Sequence, residues 1–129
     1  MHNTVILIVD NDPIFAGTAR WILSHLGGFT VHVECHSKDA VATARRLRPA
    51  LCILDVDMPV KDGGELAREI HGDPSLKRIP ILFLTSLLDS NGDGDRPTIR
   101  GGMPFLGKPV DAQVLLKAVR SLLEISAVA

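Results

Sequence analysis

Apolar runs along this chain end abruptly in polar residues. TVILIVD (4–10) and ALCILD (50–55) each stop at an aspartate, and IPILFLT (79–85) stops at a threonine. Continuous apolar runs of this length suit strands covered on both faces, as in a parallel sheet. FTVHVEC (29–35) alternates with the two-residue period of a strand. Between the runs the period becomes helical. Phe15, Ala19, Ile22, Leu23 and Leu26 recur behind Asp12-Pro13, a cap followed by proline at the first helical position, and Gly27-Gly28 closes that helix. Ser37 is placed to cap a helix carrying Ala40, Val41, Ala44 and Leu47 inward, ended by Pro49. Leu66, Ala67 and Ile70 mark a short helix closed near Gly72-Asp73-Pro74. MPFLG (103–107) reads as a short fifth strand, and residues 111–125 as a last helix with Val114, Leu115, Ala118, Val119 and Leu122 inward.

The stretch 89–102, DSNGDGDRPTIRGG, breaks this rhythm. Alternation calls for a helix there, but four glycines and a proline oppose one, so the region is expected to be irregular. Strand and helix otherwise alternate from end to end. That pattern predicts one α/β domain over residues 1–129, a doubly wound, five-stranded parallel sheet with helices on both faces. Sites in such sheets gather at the carboxyl ends of the strands.

Composition acts mainly by exclusion. A chain of 129 residues fits one domain. The net charge is -1 with no basic block, so nucleic-acid binding is not expected. No apolar run reaches the roughly 18 residues of a membrane span. The N-terminus reads as a first strand rather than a signal peptide, which makes the cytoplasm the expected location. Cys35 and Cys52 fall in apolar runs and read as buried thiols. His32 and His36 lie in or near a strand, where a four-residue spacing builds no helical metal pair, and no metal role is assigned to them.

The strand ends carry the candidate chemistry. The first delivers Asp10, Asn11 and Asp12, the third Asp55 and Asp57, the fourth Thr85 and Ser86, and the fifth Lys108. A buried carboxylate is costly unless it is paired or holds a metal. Acids at 10, 12 and 55 suit one hard cation bound through oxygen with waters retained, which is the habit of magnesium. Lys108 can pair with a carboxylate or a phosphoryl oxygen, and Thr85 offers a hydroxyl. A dication and a lysine together neutralise the oxygens of a transferring phosphoryl group. Asp55 is then the nucleophile, forming an aspartyl phosphate. Asp89 to Gly94 matches the opening of a calcium loop, but the twelfth position is Arg100 rather than glutamate, so a polar surface loop is expected.

ILIVDNDP, LDVDMPVKDGGEL, IPILFLTS and FLGKP, in that order, resemble the receiver domains of bacterial response regulators, the CheY-like family of two-component phosphorelay systems. The second segment is the specific one, and the resemblance covers essentially the whole chain. It implies a flavodoxin-like sheet of order 2-1-3-4-5 and Asp55 as phosphoacceptor. Magnesium would be held by Asp10, Asn11, Asp55 and the backbone carbonyl of Asp57. Thr85 is implied as the switch hydroxyl, Lys108 as the site lysine, and Phe105 as the aromatic that moves with the switch. A cis bond before Pro109 is also implied. The implied phosphoryl donors are a sensor histidine kinase or a histidine phosphotransfer protein. On this reading the domain is no enzyme beyond catalysing its own phosphorylation and dephosphorylation, and it is either a free-standing regulator or a receiver cut from a longer protein.

Two departures stand out. The acidic pair of the family reads Asp10-Asn11 here, which removes one charge from the metal site. The fourth-helix region, part of the family's output face, is glycine-rich and polar. A pseudo-receiver that has lost its metal and acts as a binding surface is therefore the alternative. A phosphatase of the haloacid-dehalogenase type, suggested by Asp55-Val56-Asp57, is more remote, because that motif would follow the first strand.

Overall fold

The structure, a computed structural model, describes residues 3–86 and 96–128. Of the stretch 89–102, where alternation calls for a fourth crossover helix, residues 89–95, with the calcium-loop-like Asp89 to Gly94, lie outside the described residues. The strands are β1 (Val5–Val9), β2 (Thr30–Glu34), β3 (Leu51–Asp55), β4 (Ile81–Thr85), β5 (Thr98–Arg100) and β6 (Met103–Gly107). The helices are α1 (Pro13–Trp21), α2 (Ala40–Leu47), α3 (Gly63–Gly72) and α4 (Ala112–Val128). The sheet order is β2-β1-β3-β4-β6-β5. Its first five members in space are parallel, which is the expected order 2-1-3-4-5 with MPFLG as the fifth.

The sixth strand corrects the expected count. β5 lies antiparallel on β6, with Arg100 opposite Met103. Gly101 and Gly102 make the turn, at φ 57° and 78°. A two-residue turn with positive φ at both positions follows the right-handed twist of its flanking strands, and glycine takes that conformation without strain. The same two glycines that oppose a helix favour a hairpin.

Residues along β1, β3 and β4 alternate between two cores. Ile6, Ile8, Leu51, Ile53, Leu82 and Leu84 pack with α1 and α4. Leu7, Val9, Cys52, Leu54, Ile81 and Phe83 pack with α2 and α3. Both faces of these three strands are covered, which is why they read as unbroken apolar runs, whereas β2 at the edge alternates. Cys52 is buried as expected, and burial pushes its thiol up to about 12, so it is inert. Cys35 is only half-buried.

Two helix ends differ from expectation for local reasons. The chain beyond Trp21 continues as a π turn over Ile22–Leu26. Its wider turn rotates the last residue off the buried stripe, and Leu26 is exposed. Ser37 does not cap α2. A 3₁₀ turn, Ser37–Asp39, precedes the helix, and the Ser37 hydroxyl donates to the Pro59 carbonyl at 3.0 Å, tying this turn to the loop after β3. Arg48, in the left-handed conformation, closes α2 ahead of Pro49. Arg45 then bridges to Asp73 at the end of α3, at 2.7 Å. Among the described residues no helix is long and apolar enough to cross a membrane.

Candidate functional site

Parallel pairing sets the strand ends side by side. Asp10 follows β1 directly, Asp55 ends β3, Thr85 ends β4, and Lys108 follows β6. Asp10, Asp55 and Thr85 are buried, at 1%, 6% and 5% exposure. The Lys108 ammonium lies 2.8 Å from Asp10 Oδ2 and 3.4 Å from Asp55 Oδ1. Its backbone is fixed by donation from Lys108 N–H to the Thr85 carbonyl at 2.8 Å, and the bond to Pro109 is cis. The ammonium also lies over the Phe15 ring, whose centroid is 4.3 Å from Nζ. Nothing in the sequence pattern marked Phe15 as more than an inward helix residue.

Asp12 is a helix cap. Its Oδ1 accepts the N–H groups of Ile14 and Phe15 at 3.0 and 3.3 Å. Its own N–H donates to Asp10 Oδ1 at 2.9 Å, which orients the Asp10 carboxylate. The expected convergence of carboxylates 10, 12 and 55 therefore reduces to Asp10 and Asp55. Asn11 and Asp57 are exposed at the rim. For Asp57 the implied ligand is the backbone carbonyl, which an outward side chain leaves free to serve. Asn11 lines a neighbouring cavity of about 190 Å³ together with Cys35, His36 and Pro59. Phe105 sits opposite Phe83 in the β4–β6 register, and their rings stack at 4.7 Å between centroids.

The loop after β3 is shaped by two unusual backbone positions. Gly63 begins α3, where its N–H donates to the Val56 carbonyl at 3.0 Å. A Cβ built on Gly63 would lie 2.5 Å from the Asp55 carbonyl oxygen, so a larger residue cannot enter. Asp62 caps the helix, accepting the Glu65 N–H at 2.8 Å. Val60, exposed and β-branched, is held at φ 72°, with Lys61 N–H donating across it to the Pro59 carbonyl at 2.8 Å. An ordinary side chain in the left-handed region costs about 1–2 kcal/mol. Val60→Gly should therefore raise stability by about 0.5–1 kcal/mol after glycine's own entropy cost. A urea midpoint that does not rise would count against stored strain at this turn.

Burial is the main reason the Asp55 carboxyl titrates above its ordinary value of 3.8; the Asp10 charge adds to this, and Lys108 opposes it. The native state thus binds more protons than the unfolded chain from pH 3.8 up to the raised folded value. Across that window stability falls as pH rises. In chelator, Asp55→Asn should be more stable than the parent at neutral pH, and the difference should vanish as pH falls below 3.8. Denaturation midpoints measured across that range check it, and a difference that grows in acid would reverse the sign assigned here.

Asp10 and Asp55 are buried carboxylates that share the Lys108 ammonium, which leaves the pair short of positive charge. That donor set fits a divalent cation bound through oxygen. Asp10 and Asp55 are the side chains placed to hold it.

A family model for the response regulator receiver domain matches residues 6–120. Protein PilH of Pseudomonas aeruginosa is 30% identical over 118 residues, covering 92% of this chain and 96% of that protein. Response regulator PleD of Caulobacter vibrioides is 38% identical over 94 residues, which is 73% of this chain but only 20% of PleD. Response regulator Rre1 of Synechocystis is 30% identical, and the chain spans 51% of its length. Among solved structures, the chemotaxis protein CheY4 of Vibrio cholerae superposes with a TM-score of 0.79 at 26% identity, covering 94% of this chain and 99% of that one. The receiver domain of a sensor histidine kinase from Pseudomonas aeruginosa superposes with a TM-score of 0.80 at 27% identity, covering 95% and 99%; it has a magnesium ion coordinated in its active-site cleft. The matched span, the sheet order and the strand-end cluster agree, and the chain belongs to the response regulator receiver domain family.

Proposed function

We propose that this domain accepts a phosphoryl group on Asp55 from a phosphohistidine of a sensor histidine kinase or a histidine phosphotransfer protein. The observation that carries the reading is the Lys108 ammonium set between the buried carboxylates of Asp10 and Asp55, 2.8 and 3.4 Å away. An Asp55 oxygen attacks phosphorus, the P–N bond to the donor imidazole breaks, and the imidazole nitrogen takes the electron pair. Magnesium, when bound, supplies charge neutralisation for the phosphoryl oxygens. Lys108 moves from its carboxylate partners to a phosphoryl oxygen, and Asp10 holds its place through the Asp12 N–H. Thr85 receives a second oxygen, and Phe105, stacked on Phe83, carries the change towards the surface. The domain is a phosphoacceptor that turns over only its own phosphoryl group, acts in the cytoplasm, and engages protein partners rather than nucleic acid or membrane.

Asn11 supports one competing reading. It is neutral, and Asp12 is committed to capping α1, so the metal site lacks a third carboxylate. A pseudo-receiver would follow if that loss abolished magnesium binding. Intact mass after incubation with acetyl phosphate, with and without magnesium, beside Asp55→Ala, separates the two. One added phosphoryl group that needs both magnesium and Asp55 is expected. No addition, with no magnesium-dependent change in the amide spectrum, would make the domain a binding surface only.

A further inference from the structure

We propose that Glu34, His36 and Asp39 form a second metal site, for a dication of the zinc, nickel or copper type. It is distinct from the strand-end carboxylates and does not depend on phosphoryl transfer. Glu34 ends β2, His36 follows two residues later, and Asp39 ends the 3₁₀ turn before α2. One ligand atom from each lies within 4.8 Å of the others. His36 Nδ1 stands 3.7 Å from Glu34 Oε2.

The donor set selects the metal. Magnesium and calcium take oxygen and water, whereas an imidazole beside carboxylates favours zinc, nickel or copper. Such ions bind nitrogen and oxygen at about 2.0–2.2 Å, so donors around one ion stand a little over 3 Å apart. His36 and Asp39 must therefore close in by about 1 Å, and both are exposed and free to rotate. Glu34 is the fixed member. The Thr43 hydroxyl on α2 donates to its Oε1 at 2.7 Å, and the His36 N–H donates to its Oε2 at 3.1 Å. A ligand whose carboxylate is already oriented by neighbours loses less freedom on binding. With three protein donors the ion keeps an open position for water.

Glu34, His36 and Asp39 lie within six residues of sequence, and it is the turn between β2 and α2 that brings their donor atoms together. The consequence reaches the main site. Ser37, inside the same turn, donates to the Pro59 carbonyl in the loop that leaves Asp55. An ion that fixes the turn also fixes that loop's far anchor.

The test uses the whole chain in excess magnesium, which competes with zinc for the strand-end carboxylates. Zinc titration by calorimetry should give one ion bound in the micromolar range. Nickel, added as a paramagnetic probe, should broaden amide signals centred on residues 34–39. His36→Ala, at a side chain that is 72% exposed, should fold normally and weaken zinc at least tenfold, while Asp10→Asn should leave it unchanged. No binding at submillimolar zinc, equal affinity in His36→Ala, or broadening centred on residues 10 and 55 would each overturn the site.

Discussion

Lys108→Met should cost the magnesium-free protein about 3 kcal/mol of stability, the usual penalty for removing one partner of a buried ion pair. The lysine holds together two carboxylates that are both buried, and it lies 2.8 Å from one of them. Methionine keeps a side chain of similar length and removes the ammonium, with its hydrogen bond to Asp10 and its contact with the Phe15 ring. Two facing anions then remain with no cation between them. Magnesium should undo much of the loss, because the variant site is more negative and binds a dication more tightly than the parent does. Phosphoryl uptake should nonetheless fall, because no ammonium is left to meet the incoming group. Urea denaturation in chelator and in magnesium, beside intact mass after acetyl phosphate, reads the opposing effects. A loss of stability that magnesium does not recover would mean that Lys108 acts through packing and not charge.

Gly63→Ala is the second large effect, and its sign is diagnostic. Alanine in place of an unconstrained helical glycine gains up to about 1 kcal/mol. Here the new methyl would stand 2.5 Å from the Asp55 carbonyl oxygen and 3.0 Å from Val56 Cα, both backbone atoms that cannot swing away. The helix must shift from β3 or the end of β3 must bend, and we expect a loss of about 2–3 kcal/mol. Gly64→Ala is the internal control. Its Cβ would meet only Asp62 Oδ1 at 3.3 Å, a side-chain atom that can give by a few tenths of an ångström while still capping the helix. The control should be neutral or stabilising, while Gly63→Ala loses both urea midpoint and phosphoryl uptake. Equal midpoints for the two variants would show that the contact on Asp55 is soft.

The features legible in the sequence were those written in one local stretch. Unbroken apolar runs announced strands buried on both faces, and Asp12-Pro13 announced a helix start, as the capping bonds to Ile14 and Phe15 bear out. The α/β class and the gathering of Asp10, Asp55, Thr85 and Lys108 at one edge followed from alternation, because a parallel sheet puts every strand's carboxyl end on the same side; the strand order came from the family resemblance. Other features depend on which atoms meet across the fold. Asp12 lies beside Asp10 in sequence, yet its carboxylate is drawn off by two backbone donors. Phe15 looked like core and lies under the Lys108 ammonium. Gly101-Gly102 was read as a breaker of helix, although two glycines between short apolar stretches are equally a hairpin turn. Ser37 had the chemistry of a cap and found a carbonyl at Pro59 instead.

The division of the interior by the sheet has a consequence for how this domain can change. Consecutive residues such as Leu7 and Ile8 belong to different packed clusters. Substitutions in the α1–α4 half and in the α2–α3 half should therefore combine additively, as independent sites do. One half can drift, or be reshaped around a new partner, while the other keeps its packing. That freedom ends at the carboxyl edge. There Asp10, Asp55 and Lys108 share charge, and their backbones are bonded strand to strand. Non-additive effects between mutations should concentrate in those few residues, which makes the site the part of the molecule least able to evolve one residue at a time.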